Sequence, residues 1–141
     1  MTVRVRAIDH VQLLMPAGAE AEAAARAFYA DVLGLVEAPK PRELAGRGGV
    51  WFRSADAAIH LGVDPAFQPA RRSHPALVVD SSDFARATLQ AAGRRVIEDD
   101  TGLPVRRFYV EDPFGNRLEL VDAADAGFTD PARRGRPVRR R

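Results

Sequence analysis

The chain has 141 residues, 46% of them hydrophobic, which suits one small domain or two modules that share a core. It contains no cysteine, which excludes disulfides, thiolate nucleophiles and Cys-ligated zinc and favours a cytoplasmic location. The net charge of +2 is unevenly distributed, because residues 131–141 contain six arginines and no acid. No apolar run approaches the roughly 18 residues of a membrane span, so we expect no membrane association.

The first part of the chain predicts a strand, a helix and three further strands. Residues 7–15 alternate, with Val11, Leu13 and Met15 on one face of the predicted strand. The alanine-rich residues 19–33 predict a helix, and a glycine follows where a helix often ends. Further strands are predicted at 35–38, 50–53 and 57–63, with a loop rich in proline and glycine over 39–49.

The same order of elements then occurs a second time. After a polar stretch with two prolines, residues 74–80 predict a strand and 84–92 a helix capped by Ser82 or Asp83. Strands are then predicted at 95–98, 106–110 and 117–121. The repeat predicts an α+β protein made of two βαβββ modules in tandem. The predicted divisions are a first module over 1–63, a linker over 64–73, a second module over 74–124 and a basic, flexible tail over 125–141.

The stretch FYVEDPFGNRLELVD, residues 108–122, predicts two strands joined by a tight turn. In its second strand Leu118 and Leu120 share one face, so Glu119 lies on the other. A carboxylate in the middle of a strand belongs either to a solvated face or to a ligand site. Taken alone, Glu119 favours the solvated face, because glutamate is mostly exposed in proteins.

The three histidines change that balance. His10, His60 and His74 all fall at repeat-equivalent strand positions, and Glu119 takes the fourth. If the two modules pair about a pseudo-twofold axis, these four side chains surround one cavity. Three imidazoles and a carboxylate are a donor set for one divalent metal ion. A single histidine on a strand is more often an ordinary core or surface residue, so the prediction depends on all four together.

The same alternation places further side chains on the predicted ligand face. Gln12, Arg107, Tyr109 and Arg117 are candidate substrate contacts, although solvated positions suit the arginines equally well. Phe52 or Trp51 is a candidate pocket residue, with packing in the core as the alternative. As the only acid among the four donors, Glu119 is also the candidate catalytic proton carrier.

The motifs IDHVQLLMP, FYADVLGL, HPALVVD and FYVEDPFGNRLELVD resemble the vicinal oxygen chelate superfamily of glyoxalases, bleomycin resistance proteins and dioxygenases. The resemblance covers about residues 7–122. It implies a curved, partly open β-barrel-like sheet, commonly completed by a homodimer that exchanges modules. It also implies that one divalent ion (Fe, Zn, Ni, Co or Mn) is bound at the positions of His10, His60, His74 and Glu119.

For function, the resemblance implies a lyase or isomerase, or an extradiol dioxygenase, that acts on a small molecule with vicinal oxygens. Glyoxalase I usually has a carboxylate at the position of His60, and no set of glutathione-binding residues is evident here. The triad His10, His74 and Glu119 would suit a dioxygenase. The alternative is a metal-independent protein that binds an antibiotic or another ligand.

The arginines of residues 131–141 are a candidate nucleic-acid contact. They have no aromatic residues among them, which favours a solubilising extension instead. We therefore expect a small-molecule substrate and a second copy of the chain as partners, without nucleic acid or membrane.

Overall fold

Two four-stranded mixed sheets form the structure, a computed structural model that describes residues 1–128. In the first sheet the order is β1-β4-β3-β2, and in the second it is β5-β8-β7-β6. The pairs β1–β4 and β5–β8 are parallel, and the other pairs are antiparallel. The strands are β1 (Val11–Met15), β2 (Val36–Ala38), β3 (Val50–Ser54), β4 (Ala57–Val63), β5 (Ala76–Val79), β6 (Val96–Glu98), β7 (Arg107–Glu111) and β8 (Arg117–Asp122). The predicted α+β fold of two βαβββ modules with open, curved sheets is confirmed.

The helix of the first module changes its winding halfway. Helix α1 (Ala19–Arg26) continues as a π-helical segment, Ala27–Val32, where a single α-helix was predicted. In this wider segment the adjacent residues Phe28 and Tyr29 are both fully buried. The predicted loop over 39–49 contains a short 3₁₀ helix, Arg42–Arg47.

The helix of the second module, α2, spans Ser82–Ala91. It begins one residue before the earliest start that the two predicted caps allow. Its N-cap is Ser81, whose hydroxyl oxygen accepts a hydrogen bond from the backbone N–H of Phe84 at 3.2 Å. Ser82 cannot take this role, because it already lies inside the helix. Its backbone N–H donates to Asp122 Oδ2 at 2.9 Å, which joins the start of α2 to the end of β8.

The first strand of each module is shorter than predicted. β1 begins at Val11 instead of residue 7, and β5 begins at Ala76 instead of residue 74. Pro75 has no N–H to donate to a strand ladder, although its carbonyl accepts from the N–H of Glu119 at 3.0 Å. His10 and His74 therefore lie outside the strands, His10 one residue before β1 and His74 two residues before β5.

One hydrophobic core extends through both modules. Both α1 with its π-helical segment and α2 contribute to it, as do the alternate residues of the central strands that were predicted to be buried. Burial of these aliphatic and aromatic side chains is the main favourable contribution to folding. The largest are Met15, Phe28, Tyr29, Phe52, Ile59, Leu61, Leu89, Phe108, Leu118 and Leu120.

A buried polar cluster joins the turn between β7 and β8 to the first module. The hydroxyl of Tyr29 donates to Asp112 Oδ2 at 2.7 Å, and the side-chain amide of Asn116 donates to the same oxygen at 2.7 Å. Asn116 also donates to the backbone carbonyl of Leu14 in β1 at 2.8 Å. Burial raises the pKa of Asp112, although these hydrogen bonds oppose the shift. The turn therefore fixes the second sheet relative to α1 and β1.

The last described residues belong to the folded body. Asp125 Oδ2 accepts hydrogen bonds from the backbone N–H and from Nε of Arg106, both at 2.9 Å. Residues 125–128 are thus held against the second sheet, where a flexible tail was predicted. The arginine-rich part of that tail lies outside the described residues, and the predicted module boundaries stay predictions. Among the helices of residues 1–128, none is long and apolar enough to cross a membrane.

We predict that Tyr29→Phe lowers the free energy of unfolding by about 2 kcal/mol, because it removes one of the two side-chain donors to the buried Asp112 Oδ2 and leaves only Asn116 as the other. Urea denaturation measures the loss. Tyr29→Phe, Asp112→Asn and the double variant together form a double-mutant cycle for this pair. Strictly additive effects of the two substitutions would contradict the direct coupling of these two groups.

Candidate functional site

Glu119 lies in the middle of β8, on the face of the second sheet that points away from the core. Its neighbours Leu118 and Leu120 are fully buried in the core. Glu119 is nevertheless only 8% exposed, so its position is not a solvated face. In the strand register it lies between Ala76 of β5 and Tyr109 of β7. A buried carboxylate requires partners that compensate its charge.

The two oxygens of Glu119 have different partners. Oε2 lies 3.0 Å from Nε2 of His74, and Oε1 accepts a hydrogen bond from Nη1 of Arg107 at 3.1 Å. The other ring nitrogen of His74, Nδ1, lies 2.5 Å from the backbone carbonyl of Arg72. A carbonyl only accepts, so Nδ1 carries the proton and donates it. In a neutral imidazole Nε2 is then an acceptor, and it faces the acceptor Oε2. A proton or a metal cation is needed to make this contact favourable.

Arg107 is itself fixed by a second carboxylate. Its Nε donates to Asp99 Oδ2 at 2.9 Å, and its Nη2 lies 3.3 Å from the Thr101 hydroxyl. The hydrogen bond from Arg107 lowers the pKa of Asp99. Asp99, Arg107 and Glu119 thus form one continuous chain of charged hydrogen bonds that ends at His74. Such a chain holds the Glu119 carboxylate in one orientation.

The first sheet carries a stack of three rings at the corresponding place. His60 lies between Trp51, with ring centroids 3.8 Å apart and planes at 1°, and His10, at 4.2 Å and 19°. Nδ1 of His10 lies 2.7 Å from Asp9 Oδ2. Burial lowers the pKa of His60, and the neighbouring imidazole of His10 lowers it further.

The register shows that these two clusters are equivalent. His60 pairs with Gln12 and Trp51, as Glu119 pairs with Ala76 and Tyr109. His10 lies two residues before Gln12, the strand partner of His60. His74 lies two residues before Ala76, the strand partner of Glu119. The four predicted metal ligands therefore form two pairs, one in each module. Within residues 1–128 of one chain, no three of the histidines and acids are close enough to hold a metal ion together. Convergence of all four is not seen within one chain.

Most predicted substrate contacts lie on the ligand faces. Tyr109 is flanked by arginines, with the guanidinium carbon of Arg117 4.0 Å and that of Arg107 6.0 Å from its ring centroid. Gln12 lies over Gly62, where a Cβ atom would come within 2.8 Å of its Nε2. Phe52 was misplaced: it is 1% exposed and packs in the core, 5.3 Å from the ring of Tyr29. Trp51, its neighbour on the strand, takes the place on the ligand face.

A cavity of about 460 Å³ lies beside Glu119 and Arg107. The sequence patterns did not indicate its outer wall, which is formed by residues 125–128 and by the loop before β7. Asp125 binds Arg106, which lies 19 residues earlier in the chain, so local sequence carries no signal of this contact. The walls of the cavity combine the polar side chains of Arg107, Glu119 and Asp125 with aliphatic ones, which include Ala76, Val78, Leu103, Val105 and Val121.

Comparison with known proteins places this geometry in a family. A profile of the glyoxalase-like domain matches residues 14–121. A protein from Bacillus anthracis described as a glyoxalase family protein is 46% identical, with a TM-score of 0.80 over 86% of this chain and 98% of its own. A glyoxalase/dioxygenase from Nostoc punctiforme is 21% identical, with a TM-score of 0.67 over 86% of this chain and 97% of its own.

A more distant structure with the same fold is the fosfomycin resistance protein FosX from Listeria monocytogenes. It is 16% identical, with a TM-score of 0.65 over 84% of this chain and 92% of its own. No curated protein matches the chain.

The ring stack predicts how His60 titrates. Trp51 is the only tryptophan of the chain, so its fluorescence reports protonation of the imidazole stacked on it. The fluorescence should change with a midpoint below the ordinary histidine pKa of about 6.5. His60→Gln should abolish this transition, His10→Gln should move it to higher pH, and His74→Gln should leave it unchanged. A midpoint that His10→Gln does not move would contradict the coupling.

Proposed function

The chain belongs to the glyoxalase-like domain family of the vicinal oxygen chelate superfamily, and from this we propose that it is a divalent-metal-dependent enzyme. Its substrate is a small molecule with two adjacent oxygens. The proposed ligands are His10, His60, His74 and Glu119, for one Fe, Zn, Ni, Co or Mn ion. The observation that carries the proposal is the contact of His74 Nε2 with Glu119 Oε2.

This contact has the dimensions of two neighbouring ligands of one ion. Two donors that each lie about 2.1 Å from a metal are separated by about 3.0 Å if they are at right angles and by about 3.4 Å at a tetrahedral angle. The measured separation of His74 Nε2 and Glu119 Oε2 is 3.0 Å. The hydrogen bond from Nδ1 of His74 to the Arg72 carbonyl is the outer contact that metal-binding histidines usually make. It leaves the Nε2 lone pair available, so the residues present suit a metal ion.

A complete ligand set requires a second copy of the chain. Each module of one chain supplies one pair of donors, so we propose a homodimer in which the pair of one chain faces the other pair of its partner. The exposed start of the chain supports this arrangement. Val3 is 94%, Val5 85% and Ile8 81% exposed; Val3 and Val5 alternate with arginines, and Ile8 follows Ala7 in front of β1. Apolar side chains with this exposure favour a covered position in an assembly.

In this mechanism a divalent ion supplies polarisation of the two adjacent substrate oxygens. The residues of the chain determine the rest. Arg107 occupies Oε1 of Glu119, so the carboxylate presents Oε2 to the site and acts as a ligand through one oxygen. Glu119 is only 8% exposed and has aliphatic side chains beside it, so its contact with water is small, which strengthens electrostatic interactions at the site.

We assign Glu119 the transfer of a proton at Oε2. It is the only acid among the proposed ligands, and Arg107 orients the carboxylate by its hydrogen bond to the other oxygen, Oε1. The guanidinium also stabilises negative charge that develops on a substrate oxygen nearby. These roles suit a lyase or isomerase reaction, and the triad of His10, His74 and Glu119 suits an extradiol dioxygenase. A screen of catechols, hemithioacetals and epoxides separates these reaction classes.

One observation favours the second candidate, a metal-independent protein that binds a small ligand. The ion pair with Arg107 already compensates the charge of Glu119, and the cavity of about 460 Å³ beside them offers a small molecule both aliphatic and polar walls. Protein of this kind would retain no tightly bound divalent ion after purification. Element analysis of the purified chain distinguishes the two candidates.

We predict that chelator-treated protein binds one divalent ion per chain and that His74→Gln or Glu119→Gln weakens binding at least about 100-fold, because each removes a direct ligand. Isothermal titration with Zn²⁺ and Mn²⁺ measures the affinity. Arg95→Gln, which changes an exposed residue beside the outer strand β6, is the matched control and should bind like the wild type. Wild-type protein without any measurable affinity would exclude the metal-dependent function.

A mixed dimer tests whether two chains share each site. His10→Gln changes the first module and Glu119→Gln the second, so neither homodimer should contain an intact site. In a mixed dimer of these two variants, both defects fall in one shared site and the other site is intact. We therefore predict that purified mixed dimers hold about half of the wild-type metal content, and that an equimolar mixture, in which about half of the dimers are mixed, recovers about a quarter. Sites within one chain would instead remain defective, and no recovery would be measured after mixing.

A further inference from the structure

Arg117 is the cation on the ligand face of the second sheet that lacks an acidic partner. Its Nε is buried and has no hydrogen-bond partner within the described part of the chain. Among residues 1–128 no carboxylate lies within ion-pair distance of its guanidinium, although Glu111 is its partner in the strand register. Arg107 lies on the same face of the sheet and differs from Arg117, because it is bound to both Asp99 and Glu119.

The surroundings hold the guanidinium of Arg117 in place without neutralising it. Its Cζ lies 4.0 Å from the centroid of the Tyr109 ring, and His74 approaches the same ring at 5.4 Å. Stacking on an aromatic face fixes the plane of a guanidinium and leaves the N–H donors at its edge for other partners. A partly buried charge without a counter-charge is unfavourable, so this arrangement suits a site whose counter-charge arrives with a ligand.

The position of Arg117 relates this counter-charge to the proposed metal ligands. Arg117 and Glu119 are two residues apart on one strand, so they lie on the same face with a separation of about 6.7 Å along it. The aliphatic cavity lies on the other side of Glu119, beside Val121. A ligand with oxygens at Glu119 and His74 thus has an apolar wall at one end and a cation at the other.

We propose that Arg117 binds an anionic group of the substrate, a carboxylate, phosphate or phosphonate, a few bonds away from the oxygens that lie at His74 and Glu119. Anion binding by Arg117 does not depend on the proposed function; only its placement beside the substrate oxygens at His74 and Glu119 rests on that function. Anion binding by Arg117 is testable without any metal. A guanidinium edge forms two parallel hydrogen bonds to such a group, which makes the interaction selective for oxyanions.

The test uses inorganic phosphate as the probe and chelator-treated, metal-free protein. Calorimetry and NMR titration measure phosphate binding by the wild type, Arg117→Gln, Arg117→Lys and the control Arg95→Gln. We expect saturable binding by the wild type and by Arg95→Gln, and binding weakened about tenfold or more in Arg117→Gln. Arg117→Lys, which keeps the charge but loses the planar pair of donors, should be intermediate and remains informative if the glutamine variant does not fold.

Equal, weak binding by all four proteins would identify phosphate as an adventitious ion only and overturn the proposal. An acid of a second copy of the chain is the other candidate counter-charge for Arg117, and sedimentation velocity tests for it. If Arg117→Gln turns a dimer into a monomer and phosphate has no effect on the wild type, Arg117 is an interface residue and the proposal is wrong. A metal titration of the same proteins tests the proposed function separately. Phosphate binding that depends on Arg117, in protein that binds no metal, would refute the enzyme and preserve the anion site.

Discussion

The strict alternation of side chains along β8 is the constraint on which the site depends. Leu118 and Leu120 fill the core, so Glu119 must point to the opposite face. A shift of the strand by one residue would bury the carboxylate among hydrophobic side chains and expose both leucines. The parallel pairing with β5 then brings His74 to Glu119, and the antiparallel pairing with β7 brings Arg107. The fold and the chemistry of the site are thus fixed by the same register.

The turn between β7 and β8 transmits this register to the first module. Asp112 is buried at the turn, and both Tyr29 and Asn116 donate to one of its oxygens. Asn116 also reaches the carbonyl of Leu14 in β1. Because the hairpin that carries Glu119 is held by the helix and strand of the other module, the two modules cannot rotate independently. The donor pairs of the two modules are therefore kept apart in one chain by the contacts that stabilise it.

Periodicity and the internal repeat were sufficient to predict the elements, their order and the buried faces. They predicted the equivalence of His10 with His74 and of His60 with Glu119, which the strand register bears out. They did not decide between Phe52 and Trp51 as the pocket residue, because that depends on how the two repeats are aligned at this strand, and the structure buries Phe52 in the core. The register pairs Trp51 with His60 as it pairs Tyr109 with Glu119. An error of one residue exchanges the two faces of a strand, and local sequence does not determine which alignment is right.

Other features depend on distant contacts and left no periodic signal. Ser81 replaces the predicted caps because the N–H of Ser82 is bound by Asp122, forty residues later in the chain. Residues 125–128 lie against the second sheet because Asp125 binds Arg106, the residue just before β7. The separation of the four ligands into two pairs follows from the packing between modules. A repeat predicts equivalent positions, but it does not state whether equivalent positions meet in one chain or between two.

The charges of the second sheet connect the two proposals. Asp99 and Glu119 share Arg107 as their partner, and among residues 1–128 no acid lies within ion-pair distance of Arg117, so the summed charge of these groups is zero although Arg117 is unpaired. A divalent ion at Glu119 and His74 would leave a local excess of positive charge, with Arg117 one pleat away. That repulsion weakens the metal site unless an anion binds beside it. By thermodynamic linkage, an anionic substrate that lowers the repulsion strengthens metal binding by the same factor as the metal strengthens substrate binding. An unpaired arginine next to a metal site is thus unfavourable in the empty protein and favourable in the complex, which is the property expected of a residue that selects the substrate.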